Sequence, residues 1–284
     1  MKTEFKVPAR ATDNDSYQLC KLCLELERHS GRAVLDCRET QRFGPIGIAM
    51  MASTVALRRA KGLATDLLLP IDDDARAFIE EVSFDRFSEG EETGLGTLEI
   101  RRLDGLDAVY TSRVVELLAE GVPGRITDEN SYPIQLCLNE LLQNVFEWSQ
   151  SPVGCFVLTR WFKKTRSVRL AVVDRGIGIP AALRRSKVRS LHRALDADVI
   201  EAAVMTPDLT SRANRVGGLG LKTIREVVCG RAGRLTIVSL TAKVTWANSK
   251  ISRFRSPPFR GTAVEIDVRP DAGFAEVEPG SILF

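Results

Sequence analysis

Along the first ninety residues, short apolar runs alternate with stretches whose apolar positions recur every three or four residues, a pattern that predicts strands exchanging with amphipathic helices. Residues 13–29 put Leu19, Leu22, Cys23 and Leu26 on one helical face, and 33–37 (Ala-Val-Leu-Asp-Cys) read as a short buried strand. A helix follows over about 46–61, then a strand over 66–69 closed by Pro70. Asp72, Asp73 and Asp74 open another helix, because negative charge favours the first turn. Strand and helix at this spacing imply a small sheet with crossover helices.

The polar, glycine-rich stretch 88–96 marks a boundary. Beyond it the pattern predicts a strand at 97–103, helices at 107–120 and about 133–149, and adjacent strands at 153–162 and 168–174. After a polar helical region, strands return at 235–240, 244–246 and 262–268. Helices grouped with hairpin-connected strands argue for a layer of helices on a mixed sheet. The expected fold class is thus α/β over 1–92 followed by a two-layer α/β sandwich over 93–284, with no internal repeat.

Composition excludes disorder as the main state: 284 residues are 44% hydrophobic and 27% charged. The net charge of +3 conceals an asymmetry, since residues 160–260 hold 22 Lys/Arg against 6 Asp/Glu and the remainder holds 18 against 31. Part of the chain therefore suits an anionic ligand. No apolar run approaches the roughly 18 residues a membrane span needs, and the first residues are polar, so a cytoplasmic protein without membrane insertion is expected. Cys20 and Cys23 form a CxxC, but no second pair answers it, and both fall on the core-facing stripe of a helix.

The candidate chemistry lies in the second part. Asp174-Arg-Gly-Ile-Gly178, Gly217-Gly-Leu-Gly-Leu221 and Gly261-Thr262 are short glycine segments. A Rossmann motif would need a third glycine that neither GxG supplies, and a P-loop needs glycine where Leu221 precedes Lys222. Upstream, Glu140 and Asn144 are one helical turn apart, about 6 Å along the axis, while Leu138, Leu141, Leu142 and Val145 take the other face. A carboxylate beside a carboxamide oxygen suits Mg²⁺ with a base next to it.

The ordered set Glu140-x-x-x-Asn144, Asp174-x-Gly176-x-Gly178, Gly218-x-Gly220 and Gly261-Thr262 resembles the four boxes of the Bergerat-fold (histidine-kinase-like) ATPases, over about 107–270. The resemblance implies ATP and Mg²⁺ as ligands. It implies Asn144 as the metal residue, Glu140 as the catalytic base and Asp174 as acceptor for the adenine amino group. Gly176 and Gly178 would let the backbone turn beneath the base, and Gly218, Leu219 and Gly220 would hold phosphate at a helix start. Thr262 would complete the adenine pocket, and about 181–216 would form the lid, with Arg184, Arg185, Lys187, Arg212 and Arg215 its basic residues.

Where histidine kinases carry a basic residue and then histidine or tyrosine, this chain has Glu147 and Trp148, which argues against autophosphorylation on histidine. His29 and His192 read as surface or capping residues. Residues 33–37, 43–49 and 66–70 resemble the STAS domain of anti-sigma-factor antagonists, with the strands that open that domain missing from the pattern. Ile46 stands where those antagonists carry a phosphorylated serine, so a module for protein contact or ligand sensing is expected. The resulting expectation is an ATP-binding, slowly hydrolysing domain coupled to a regulatory protein partner through a STAS-like module. A serine/threonine kinase of the anti-sigma type and a nucleic-acid-associated ATPase of the MutL or gyrase kind are the alternatives, nucleic acid being the less favoured partner. A homodimer is compatible with all three.

Overall fold

Ala33 to Asp36 is buried along its whole length, and Ser167 to Asp174 is buried at every residue but Arg169, so each anchors a sheet against the helices. The computed structural model describes residues 2–91, 99–122, 126–185, 188–206 and 219–270. The first unit runs β1 (Thr3–Lys6), β2 (Arg10–Ala11), α1 (Ser16–Arg28), β3 (Ala33–Asp36), β4 (Arg42–Phe43), α2 (Pro45–Ala60), β5 (Thr65–Leu68), α3 (Asp73–Glu81) and α4 (Phe84–Glu89). The second runs β6 (Arg101–Leu103), α5 (Ala108–Gly121), α6 (Asp128–Asn144), β7 (Cys155–Phe162), β8 (Ser167–Asp174), α7 (Ile179–Arg184), α8 (Asp196–Met205), α9 (Leu219–Gly230), β9 (Arg234–Ala247) and β10 (Lys250–Val268). Parallel pairing orders the first sheet β1-β3-β5, and antiparallel pairing orders the second β6-β7-β8-β10-β9. The mixed α/β class expected from the pattern is what forms. No helix among the described residues is long and apolar enough to cross a membrane.

The two-residue strands β2 and β4 and the short helix α4 were not expected, and three longer strands also differ from expectation. Strand β1 was not foreseen: in Thr-Glu-Phe-Lys only Phe5 packs against the core, too little alternation to register. The segments 235–240 and 244–246 are one strand, β9, interrupted at Leu240, where φ is 51°. Strand β10 starts twelve residues before 262, masked in the sequence by Pro257 and Pro258, which cannot donate to the ladder. Asn248 and Ser249, with φ of 49° and 58°, join β9 to β10 as the two left-handed residues of a tight hairpin. Most of the proposed boundary, residues 92–96, lies outside the described residues.

The second sheet is covered on both faces. Helix α6 packs Leu138, Leu141 and Leu142 against one, with Val172 and Val264 beneath. Against the other lie α1 and α2, so Phe156, Leu158, Ala171, Val173, Val238 and Ala263 share a core with Leu26, Ile48 and Met51. Helix α2 is buried from Pro45 to Arg58, as expected of a helix apolar all round. Cys20 and Cys23 belong to this core, and burial pushes the Cys20 thiol up to about 12. Arg58, fully buried, donates to the carbonyls of Leu26 and Gly31 at 2.7 and 2.6 Å and to Thr65 Oγ1 at 2.9 Å, tying the ends of α1, β3 and β5 together.

Several polar contacts cross between the units, and one of them lies within this core. The Ile46 backbone N–H, in the first turn of α2, donates to Glu265 Oε2 at 2.9 Å. Burial raises the Glu265 carboxyl to about 8, reinforced by the nearby charge of Asp13. The folded state therefore holds this proton more tightly than the unfolded chain, whose glutamates titrate near 4.3. Stability is full below that value and declines as pH climbs through the window up to about 8. Thermal melts from pH 5 to 9 should show the decline in the wild type and a flatter curve in Glu265→Gln; parallel curves would remove Glu265 as the cause.

Candidate functional site

Strand β8 alternates sides up to its end. Val172 and Asp174 point toward α6 and line a cavity, while Val173 and then Arg175 point toward α1. The cavity is walled by Leu141 and Val145, by Trp148, and by Ile179 and Leu183 of α7. Helix α6 passes into a π-helical turn, Val145–Ser149, an irregularity often found at functional sites, which places Trp148 in the wall.

Asp174 is 3% exposed, and burial raises its carboxyl to about 7 despite the Gly176 N–H that donates to Oδ1 at 2.7 Å. A carboxylate has roughly four acceptor directions, so capacity remains for a ligand donor. Gly176 is required by close approach, since a Cβ there would overlap the Ser149 carbonyl oxygen, which also accepts from the Ile177 N–H at 2.8 Å. Gly261 has φ of 110°, and a side chain there would strike the Asp174 carbonyl. Thr262 pairs with Asp174 across β10 and β8 and lines the cavity, as does Gly178 at the start of α7.

At the other end of the cavity, Gly220 in the first turn of α9 faces the acid–amide pair. A Cβ on Gly220 would fall 2.5 Å from Glu140 Oε2 and 3.3 Å from Asn144 Nδ2. Asn144 lines the cavity, and its Nδ2 is buried with no hydrogen-bond partner. Burial raises the Glu140 carboxyl above its ordinary value, and the charge of Glu147 adds to the effect. Leu221 completes the wall, and Leu219 begins the helix.

The structure thus brings Glu140, Asn144, Asp174, Gly176, Gly178, Gly220 and Thr262 around one cavity or its edge. Gly218 and the lid residues Lys187, Arg212 and Arg215 lie outside the described residues. Arg184 is turned to structure, donating to Asp196 Oδ1 at 2.7 Å and to the Ala194 carbonyl at 2.8 Å. Arg185 is exposed on the far end of α7.

Sequence reasoning missed Ser239. Its Oγ donates to the Gly261 carbonyl at 2.8 Å, accepts from the Ile179 N–H at 3.1 Å and lies 3.2 Å from Thr262 Oγ1. It joins the turn after Asp174 to the turn before Thr262. The available signal was a lone serine in the apolar run Leu235-Thr-Ile-Val-Ser-Leu240. Arg175 was also missed: it is 1% exposed, paired with Glu27 of α1, and its Cζ sits 4.5 Å from the centre of the Phe259 ring.

No family model matches this chain, and no curated protein does. Among solved structures, the B subunit of DNA gyrase from Myxococcus xanthus is similar at a TM-score of 0.30 and 14% identity, over 58% of this chain. The likeness spans 45% of that subunit's length.

Proposed function

We propose that this chain binds ATP with Mg²⁺ in the cavity between α6, α7, α9 and strands β8 and β10, and hydrolyses it slowly. The observation that carries the reading is convergence. Segments as distant in sequence as Asn144 and Thr262 meet at one cavity, with a buried acceptor at one end and, at its edge, a helix start against the Glu140–Asn144 pair. The donor set fits the ligand: a carboxylate beside a carboxamide oxygen suits a hard cation, and the unpartnered Asn144 Nδ2 is a buried donor that a phosphate oxygen would satisfy. The side-chain oxygen and nitrogen of that amide are interchangeable by rotation, so either can face the ligand.

In this reading Asp174 accepts from the adenine amino group, and Leu141, Val145, Trp148 and Ile179 exclude water from the base. The free N–H groups at the start of α9 bind phosphate. Asn144 holds the Mg²⁺, which when bound neutralises phosphate charge. Glu140, whose proton affinity is raised, takes the proton from the attacking water. Glu140→Ala is expected to leave the ATP dissociation constant within about threefold of wild type, as loss of a base costs chemistry rather than binding. Phosphate release in the same variant should fall at least about 100-fold. Calorimetric titration and a phosphate-release assay on the same preparation test the pair; turnover surviving in Glu140→Ala would transfer the base to another group.

For the first unit we propose a STAS-like module that senses a regulatory protein or ligand and is read by the ATP site through direct contact. Its three-stranded parallel sheet with α1 and α2 supports that reading, and Glu27 of α1 reaches Arg175, the neighbour of Asp174. Glu265 caps the first turn of α2 from within the core, which speaks against that helix start as a phosphorylation site.

A further inference from the structure

Among the described residues, no lysine or arginine lines the cavity, so the basic excess lies elsewhere. Residues 241–260 contain Lys243, Lys250, Arg253, Arg255 and Arg260 and no acidic residue. All five fall on the hairpin of β9 and β10, and the structure separates them by role. Lys243 is buried and donates to the Asp13 carbonyl oxygen at 2.5 Å, beneath the Phe254 ring at 5.6 Å. Arg253 is held by Glu201 of α8. Lys250, Arg255 and Arg260 are exposed and make no ion pair among the described residues.

Backbone pairing makes this end of the hairpin an overhang. From Lys250 to Arg255, β10 pairs with β9 alone, because its register with β8 begins only at Thr262. Phe254 is 55% exposed and by strand alternation shares its face with Lys250, while Arg253 and Arg255 take the other face of the same narrow edge. Basic side chains on an unpaired strand edge guard against unwanted strand pairing, and that need explains charge. It does not explain a large exposed aromatic beside it, whereas cations for a phosphate backbone and a ring for a base are the two components of single-strand recognition.

We propose that the overhanging end of the β9–β10 hairpin binds single-stranded nucleic acid, with Lys250, Arg255 and Arg260 on phosphates and Phe254 stacked on a base. The site is independent of the ATP reading, though β10 leads from it directly to Thr262 at the cavity.

The test is fluorescence anisotropy of the full chain with a labelled 20-nucleotide oligothymidine, without added nucleotide. Three phosphate contacts predict a loss of about 20-fold in affinity between 50 and 200 mM salt. Lys250→Glu/Arg255→Glu/Arg260→Glu should weaken binding at least about tenfold at 50 mM salt, with the melting temperature as a check on folding. If that variant fails to fold, Arg255→Gln/Arg260→Gln should weaken binding in the same direction and flatten the salt dependence. Phe254→Ala should cost about tenfold and leave the salt dependence unchanged. Unaltered binding by the charge variants would overturn the proposal. So would displacement of the oligonucleotide by polyglutamate at equal charge, which would identify an acidic protein as the better occupant.

Discussion

Asp174→Asn should abolish ATP binding while leaving the protein folded. The Gly176 N–H requires an oxygen acceptor at 2.7 Å, so an asparagine would orient its carbonyl there and present its NH₂ to the cavity. Donor would then face the donor of the adenine amino group, and the expected loss is about 100-fold or more. The wild type carries a second signature of the same group. With its carboxyl raised to about 7, Asp174 becomes the better acceptor as pH rises through that value. Adenosine, which does not itself titrate in this range, should therefore bind more weakly at pH 6 than at pH 8. The effect on stability has the opposite sign. An aspartate titrates near 3.9 in the unfolded chain, so the stabilising excess proton of the folded state is present below that value and lost as pH rises toward about 7. Asp174→Asn should remove the pH dependence of any residual adenosine binding and flatten the melting profile to the part that Glu265 contributes. Calorimetry across pH and thermal melts would show it, and wild-type ATP affinity in Asp174→Asn would sink the pocket assignment.

Glu27→Ala should give the largest loss of stability. It leaves the Arg175 guanidinium almost fully buried without its carboxylate, and Nε and Nη1 of that arginine already lack hydrogen-bond partners. Removing one member of a buried pair costs about 3 kcal/mol or more, which in a chain of this size lowers the melting temperature by roughly 6–12 °C. The change also reaches the cavity. The Arg175 N–H donates to Ser151 Oγ at 3.2 Å, and the residue separates Asp174 from Gly176, so a displaced arginine moves Asp174, the proposed adenine acceptor. Replacing both partners, as Glu27→Leu with Arg175→Met, removes the stranded charge and should recover most of the stability. The cycle separates the roles: recovered stability with ATP affinity still reduced would mark Arg175 as a positioning residue. A Glu27→Ala melting temperature equal to wild type would show that the pair contributes nothing.

Much of this site was legible before any coordinates. Glu140 and Asn144 share a helical face at a spacing of four, so local periodicity sufficed to pair them; Leu141, expected on the opposite face, instead joins Asn144 in the cavity wall. Strands β7 and β8 were legible because both of their faces are buried, which leaves a nearly continuous apolar run. The end of β8 at Asp174 followed from the polar residue and the glycines after it. By contrast, β10 from Lys250 to Gly261 reads as a polar, proline-broken loop, since its pairing depends on a partner strand and not on its own alternation.

Sequence alone thus determined most element types, their order and the polar residues proposed for the nucleotide site, because helix and strand periods and glycine turns are local properties. Only the tertiary structure decided what covers the second face of the sheet. Helix α2 looked like any apolar helix until it was seen buried between units, with Glu265 on its first turn and Arg175 reaching back to Glu27. Ser239 and the unpaired hairpin edge belong to the same class. Each depends on which distant residues exclude water from a group or satisfy its hydrogen bonds, and burial by remote chain leaves no periodic trace in the residues it buries.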